Sequence, residues 1–341
     1  MNNKNESREE QMTEPSLPTY HVLALSGGGY RALYSATVLA QLEEALGAPL
    51  AKRFDLICGT SAGGMLAIGL AAEVPAAELQ ALFVDQGKQI FGCRTWLRRL
   101  LGFWWNAKHD SAGLAQVLHD RFGDMKVGDL KHRLLVPAVN CTTGRGQFFK
   151  TPHHPTFEFD HKMPVTEVAL ATAAAPVYFP LSRSGRGVFA DGGLVGNAPG
   201  FFGLHEVRHF LAPGQQAKIR VLSIGTMTIG ATVRGSASLD KGFLRWRGSL
   251  FDLVISAQES SVDYMLRQSL ASDYFTIDDK VTPDQSLDVK ALDRVSKGST
   301  NTLRDRGMHA AQRALGDALF APFRNHIANP PSFFHGTNKN A

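Results

Sequence analysis

Three short stretches place residues capable of acyl-transfer chemistry at the ends of apolar runs. In "FDLICGTSAGGMLAIGLAA" (54–72), Ser61 stands between Gly59 and Gly63, with an apolar run before it and small residues after it. A serine hydroxyl is a weak nucleophile, so it needs a partner to take its proton and donors to hold an oxyanion. GxSxG at a strand-to-helix turn is the nucleophile-elbow arrangement, in which flanking glycines relieve crowding. The helix that begins there also favours a developing negative charge. A serine N-cap beside packing glycines fits the same letters.

The second stretch, "LSGGGYRALYS", sets Gly27, Gly28 and Gly29 between an apolar run and a helical pattern. Gly27, Gly29 and Ala32 match the dinucleotide fingerprint GxGxxG/A. A turn of this kind bares backbone N–H groups at a helix start, where a pyrophosphate or an acyl-transfer oxyanion is stabilised alike. A tight turn built for packing is the third reading. A second glycine turn after another strand suits an acyl-transfer site, which draws nucleophile and oxyanion donors from neighbouring strand ends.

The third stretch, "GVFADGGLVGNAP", runs from a short apolar segment into Asp191, Gly192 and Gly193. A carboxylate emerging at a strand end within reach of Ser61 could act as general base, with burial raising its proton affinity. An Asp-Gly hairpin turn is the plainer alternative. Histidines are plentiful after Ser61: His109, His119, His132, His153, His154, His161, His205 and His209. None follows a strand at a turn, where a triad histidine belongs, so each reads as a surface or packing residue.

The elements that must carry these residues follow from periodicity. "HVLAL" (21–25), "FDLIC" (54–58), "RLLVPAVN" (133–140) and "IRVLSIGT" (219–226) read as buried strands. Leu33, Val38, Leu39, Leu42 and Leu46 recur at helical spacing up to Gly47, which supplies a stop. "MLAIGLAA" continues a second helix, and residues 248–270 make a long amphipathic one. Alternating strands and helices imply an α/β fold with a mostly parallel sheet covered on both faces.

The chain has 341 residues, 44% hydrophobic and 20% charged, which is ordinary globular composition. A net charge of +5 suits an anionic membrane surface or a phosphate-bearing ligand. Cys58, Cys93 and Cys141 are scattered, without metal-ligand spacing, so no structural metal and a reducing compartment are expected. The first 18 residues are polar, with no apolar signal-peptide core, and read as a flexible tail. No apolar run is long enough to span a bilayer, so a cytoplasmic protein is expected.

Taken in order, "GGGYRA", "GTSAG" and "DGG" resemble the patatin-like phospholipase family. The resemblance implies a patatin-like α/β fold and hydrolysis of lipid acyl esters by a serine–aspartate dyad at strand ends, with no histidine and no metal. By position, Ser61 matches the nucleophile and Asp191 the proton acceptor. Gly27, Gly28 and Gly29 match the oxyanion-hole turn, and Arg31 matches the basic residue after it. Gly59, Gly63, Gly192 and Gly193 match the motif glycines. "ATAAAPVYFP" (171–180) resembles the family's alanine-rich helix and following "YFP". Ala32 departs from the written pattern, which often has glycine, at a helix start that tolerates a methyl group. The resemblance spans residues 20–205.

"KHRLLVPAVNCTTGRGQFFKTPHHP" and "LFDLVISAQESSVDYML" are similar to a bacterial subgroup of antiphage (CBASS) phospholipases. That likeness implies an enzyme switched on by a cyclic dinucleotide such as cyclic GMP-AMP, made by a cognate synthase, that degrades membrane phospholipid at the inner face of the cell membrane. Nucleic acid polymers are not expected partners. Arg145, Lys150, Arg245 and Arg247 are basic candidates for the dinucleotide, although a solvated charged face explains each of them. "IFGCRTWLRRLLGFWWNAKH" (90–109) interleaves tryptophan with arginine, as an interfacial segment, a lid or a core with snorkelling arginines would. The expected layout is a tail (1–18), a catalytic core (19–205), and a C-terminal part of the same domain (206–328) with a regulatory or homo-oligomer surface. A peripheral end (329–341) completes it. The rival readings are a constitutive esterase of the same fold, a nucleotide-binding module with a dead site, and a histidine-dependent hydrolase.

Overall fold

The computed structural model describes residues 17–91, 107–227, 243–281, 286–289 and 291–339. Eight strands form one sheet: β1 (Thr19–Leu25), β2 (Leu56–Gly59), β3 (Leu134–Asn140), β4 (Arg145–Lys150), β5 (Ser182–Ser184), β6 (Gly187–Ala190), β7 (Lys218–Ile224) and β8 (Tyr274–Ile277). Their order is β5-β6-β3-β2-β1-β7-β8, with β4 also on β3. The run from β3 to β8 is parallel, and β4, β5 and β6 join antiparallel. The fold is therefore α/β with a mostly parallel central sheet.

Helices cover both faces, and this explains why the central strands read as unbroken apolar runs. Leu23 and Leu25 of β1 enter one core, while Val22 and Ala24 enter the other. Ile57 parts from Leu56 and Cys58 in the same way, as do Leu222 and Ile224 from Ile219 and Val221. A strand buried on both faces leaves few positions for polar residues, here His21 and Ser223.

The larger core lies under α1 (Ala32–Leu46), α2 (Ala62–Ala71), α3 (Ala76–Phe91), α4 (Ala112–Phe122) and α5 (Val165–Thr172). On the opposite face lie α6 (Gly200–Glu206) and α7 (Phe243–Leu270), which contribute Leu204 and Leu266. A last long helix, α8 (Lys297–Gly316), returns to α1, where a Cβ on Gly307 would sit 2.9 Å from the Tyr34 carbonyl. Gly47 ends α1 at φ 63°, the left-handed cap that favours glycine.

One detail of topology positions the site. A strand has two edges, and β4 pairs along the whole of 135–140, so β2 and β6 share the other edge of β3. β2 takes its beginning and β6 its end. Because β6 runs antiparallel, its chain leaves Ala190 heading back toward the point where β2 stops. Asp191 and Ser61 are thereby delivered to one place from opposite directions.

The C-terminal end is bound down, in contrast to the peripheral segment expected from sequence. Phe333 is buried, the Phe334 amide donates to the Pro152 carbonyl, and Thr337 bonds Asp129 at 2.6 Å. Phe333 of "PPSFFHG" supplies the apolar anchor that holds this segment, while Phe334 stays exposed. Of 90–109, Ile90 and Phe91 are buried at the end of α3, and the Lys108 and His109 amides donate to the Val177 and Tyr178 carbonyls. The tryptophans and arginines between them lie outside the described residues. No helix among the described residues is long and apolar enough to cross a membrane.

Replacing Phe333 by alanine is expected to cost about 3–4 kcal/mol, the usual loss for a buried phenylalanine. Calorimetric unfolding measures the loss, and limited proteolysis should show earlier cutting after residue 329.

Candidate active site

Ser61 lies between β2 and α2 with φ 55° and ψ −125°, a backbone conformation that a non-glycine residue rarely adopts. Such a conformation costs on the order of 1–3 kcal/mol and persists only where the surroundings impose it. The surroundings here are close backbones. A Cβ on Gly59 would sit 2.2 Å from the Gly63 carbonyl oxygen, and one on Gly63 would sit 2.4 Å from that of Leu25. The flanking glycines are thus demanded by packing, and the turn lifts a half-buried Ser61 above the strand end. The Ser61 hydroxyl makes no capping bond to α2. It donates instead to Asp191 Oδ2 at 2.6 Å.

Asp191 is buried, and its other oxygen accepts the Gly193 amide at 2.6 Å. Burial pushes its carboxyl from 3.8 up to about 6, against the opposing pull of the bonds from Ser61 and the Gly193 amide. A carboxylate of this basicity is a better proton acceptor than an exposed aspartate and is still ionised at neutral pH. The segment after Asp191 is a short helix (Gly193–Gly196), not a hairpin. Gly192 is required there, because a Cβ would meet the Pro137 carbonyl oxygen at 2.2 Å.

Thr172, which sequence reasoning passed over inside "ALATAAAP", ties the Ser61 turn to the Asp191–Gly192 segment. Its hydroxyl accepts the Ser61 amide at 3.0 Å and donates to the Pro137 carbonyl at 2.7 Å. Its own carbonyl accepts the Gly192 amide at 3.1 Å. The alanine-rich stretch gave a cue in that one hydroxyl amid small apolar residues needs a partner.

The glycine turn approaches from β1. A Cβ on Gly27 would fall 3.1 Å from the Ser61 Cβ, so the turn lies against the serine. Gly27 donates its amide to the Asn197 carbonyl at 3.1 Å, which takes that N–H out of the donor set. The amides of Gly28 and Gly29 have no carbonyl partner among the described residues, and Gly29 is held at φ 56°. With the N-terminus of α2 they are the groups near Ser61 whose partial positive charge favours an anion. Arg31 is buried, and burial lowers its pKa while Glu259, Asp252 and Asp278 around it oppose that. Its charge is set against carboxylates of α7 and of the segment after β8.

Four histidines are paired with carboxylates away from Ser61. His109 bonds Asp293, His132 bonds Glu73, His153 bonds Glu206 and His326 bonds Asp55. No histidine contacts Ser61 or Asp191 among the described residues. Of the basic residues considered for a dinucleotide, Lys150 bonds Glu206 at 2.6 Å and lies 4.5 Å from the rings of Phe157 and Phe210. Arg145 is exposed on β4, and the side chains of Arg245 and Arg247 lie outside the described residues.

Two outcomes are expected from this geometry. The acid limb of the hydrolysis rate should centre near pH 6, because the proton acceptor works only as carboxylate and its pKa is pushed up to about 6. A pH–rate profile checks this, and a limb centred below 5 would contradict it. The raised pKa also means that the folded state holds its proton more tightly than the unfolded chain. Stability from this group is therefore lost as pH rises from 3.8 through about 6. Asp191→Asn should raise the thermal midpoint at pH 7.5 while abolishing turnover.

A family profile described as "Patatin-like phospholipase" matches residues 23–200, which contain the glycine turn, Ser61 and Asp191. A Pseudomonas aeruginosa (strain BWHPSA011 / Pa011) protein named "cGAMP-activated phospholipase" is 76% identical over 324 residues, covering 95% of this chain and 97% of its own. Proteins of the same name from Vibrio cholerae and Escherichia coli (strain TW11681) are 35% and 34% identical. They cover 89% and 94% of this chain, and 95% and 96% of their own. The chain belongs to the patatin-like phospholipase family.

Proposed function

We propose that this chain hydrolyses the carboxyl esters of membrane phospholipids through Ser61 and Asp191, under the control of a cyclic dinucleotide, cyclic GMP-AMP or a close analogue. The observation that carries the chemistry is the 2.6 Å bond between the Ser61 hydroxyl and the buried Asp191 carboxylate. Asp191 Oδ2 takes the hydroxyl proton as Ser61 Oγ bonds to the ester carbonyl carbon. The Gly28 and Gly29 amides hold the carbonyl oxygen as it becomes anionic, with Arg31 adding positive charge from within the protein. Collapse of the intermediate breaks the ester C–O bond, and Asp191 gives its proton to the departing lysolipid alkoxide. Water then loses a proton to Asp191, attacks the acyl-enzyme, and releases a fatty acid as Ser61 regains its proton. No metal takes part in this sequence.

Control by cyclic GMP-AMP is supported by the shared name of three relatives, one of them 76% identical. The net charge of +5 suits both an anionic bilayer and a ligand with two phosphates. In this reading a cognate synthase makes the dinucleotide, and the chain degrades lipid at the inner face of the cell membrane as an antiphage (CBASS) effector. The part spanning 206–328 offers a regulatory or homo-oligomer surface, and the packing of its α7 against the "DGGLVGN" segment supports the regulatory one.

The deciding experiment measures fatty acid release from phospholipid vesicles with and without cyclic GMP-AMP, alongside labelling by a serine-reactive fluorophosphonate. Ser61→Ala is expected to abolish labelling and to lower release by a factor of about 10³ or more. Asp191→Asn is expected to match it in release. Equal release with and without dinucleotide favours a constitutive esterase. No labelling of Ser61 in either condition favours a binding module.

A further inference from the structure

One buried residue grips the Gly27 peptide units on both sides. The Gly27 amide donates to the Asn197 carbonyl at 3.1 Å, and the Gly27 carbonyl accepts from Asn197 Nδ2 at 3.0 Å. Thr226 Oγ1 gives the same carbonyl a second bond at 3.2 Å. The Gly27 carbonyl and the Gly28 N–H belong to one planar trans peptide and point in opposite directions. Whatever fixes the carbonyl therefore aims the Gly28 N–H, one of the two free amides of the turn. A flip of this peptide would turn a carbonyl oxygen toward the serine and repel an oxyanion.

An asparagine amide can be turned over, which would present its oxygen in place of its NH₂. The Gly27 carbonyl disfavours this only while its own peptide stays unflipped; the partner that holds the amide independently of that peptide is Glu259, which accepts from the same Nδ2 at 2.6 Å. A carboxylate only accepts, so it requires the NH₂ end and leaves that end facing the Gly27 carbonyl as well. Glu259 lies on α7, beyond the residues 23–200 that the family profile matches. Its neighbours on α7 reach the same place. Gln258 donates to the Leu194 carbonyl at 3.2 Å, and Ile255 Cδ1 would lie 3.1 Å from a Cβ on Gly193.

We propose that Asn197 and Glu259 are positioning residues for the oxyanion turn. Glu259 fixes the orientation of the Asn197 amide, and Asn197 fixes the Gly27–Gly28 peptide with its N–H toward the reacting carbonyl. Through this relay α7 governs the competence of a turn contributed by β1. The relay rests on the acyl-hydrolase reading of Ser61 and deepens it, because it assigns the C-terminal helix a direct hold on the reaction.

The test compares Glu259→Ala, Glu259→Gln and Asn197→Asp in the full chain, with cyclic GMP-AMP present, on a fluorogenic ester. Glu259→Ala should lower kcat about 10-fold or more, on the scale of a misaligned oxyanion donor, with KM within about threefold and the thermal midpoint nearly unchanged. Glu259→Gln, which keeps an acceptor oxygen, should recover most of that loss. Asn197→Asp, which cannot donate to the Gly27 carbonyl, should lose more than Glu259→Ala and should slow fluorophosphonate labelling in parallel. The relay is overturned if Glu259→Ala keeps the parent kcat, or if the loss falls in KM. It is also overturned if Glu259→Gln is as damaging as alanine, since the charge near Arg31 would then be what matters. Ser61→Ala separates the two levels. Full turnover in that variant removes the acyl-hydrolase reading and the relay with it, whereas a silent Ser61→Ala beside an unaffected Glu259→Ala removes the relay alone.

Discussion

The site depends on placing one carboxylate, out of water, against one serine hydroxyl. Asp191 at 2.6 Å from Ser61 Oγ is held more basic than an ordinary aspartate because burial opposes its charge. That is the condition under which a carboxylate can take a hydroxyl proton without an imidazole. The condition is costly to the fold. A buried carboxylate and a serine forced to φ 55° both oppose stability, and they coincide at one strand end. The rest of the structure can be understood as what holds them there.

Close backbone approach does most of that holding. Gly59, Gly63 and Gly192 each face a carbonyl oxygen at a distance no side chain could share, so the serine turn closes against itself and against β1, and the Gly192 segment against β3, almost backbone to backbone. Thr172 then joins the serine amide, the Pro137 carbonyl and the Gly192 amide through a single residue. The antiparallel entry of β6 is the large-scale counterpart of these contacts. A parallel strand in its position would carry the residue after Ala190 away from the end of β2.

The two faces of the sheet divide the work. The face under α1, α2, α3 and α8 holds the larger core and anchors the helices that follow both glycine turns. The opposite face brings α7 over the "DGGLVGN" segment, where Gln258 and Glu259 bond Leu194 and Asn197. Histidines are spent on structure, pairing with Glu73, Glu206, Asp293 and Asp55. This accounts for a histidine-rich chain that has no imidazole at its serine.

Sequence alone was enough for much of the local geometry and for naming the candidate groups, Ser61 and Asp191, that the fold brings together. The apolar runs marked β1, β2, β3 and β7 because both-face burial leaves an unbroken signature, and Gly47 marked the end of α1 because a left-handed cap favours glycine. Ser61, Asp191 and the triple-glycine turn stood out because three such motifs follow strands in order along the chain, although each one alone also fits a packing turn. Tertiary structure decided everything that depends on which edge meets which. The pairing of β6 with the end of β3, the use of the Gly27 amide by Asn197, the bonds of Thr172 and the bond of Glu259 to Asn197 join residues far apart in the chain. No periodicity records such contacts. The C-terminal segment shows the same limit, since a proline-rich end with two phenylalanines looks peripheral until a pocket exists to receive one of them.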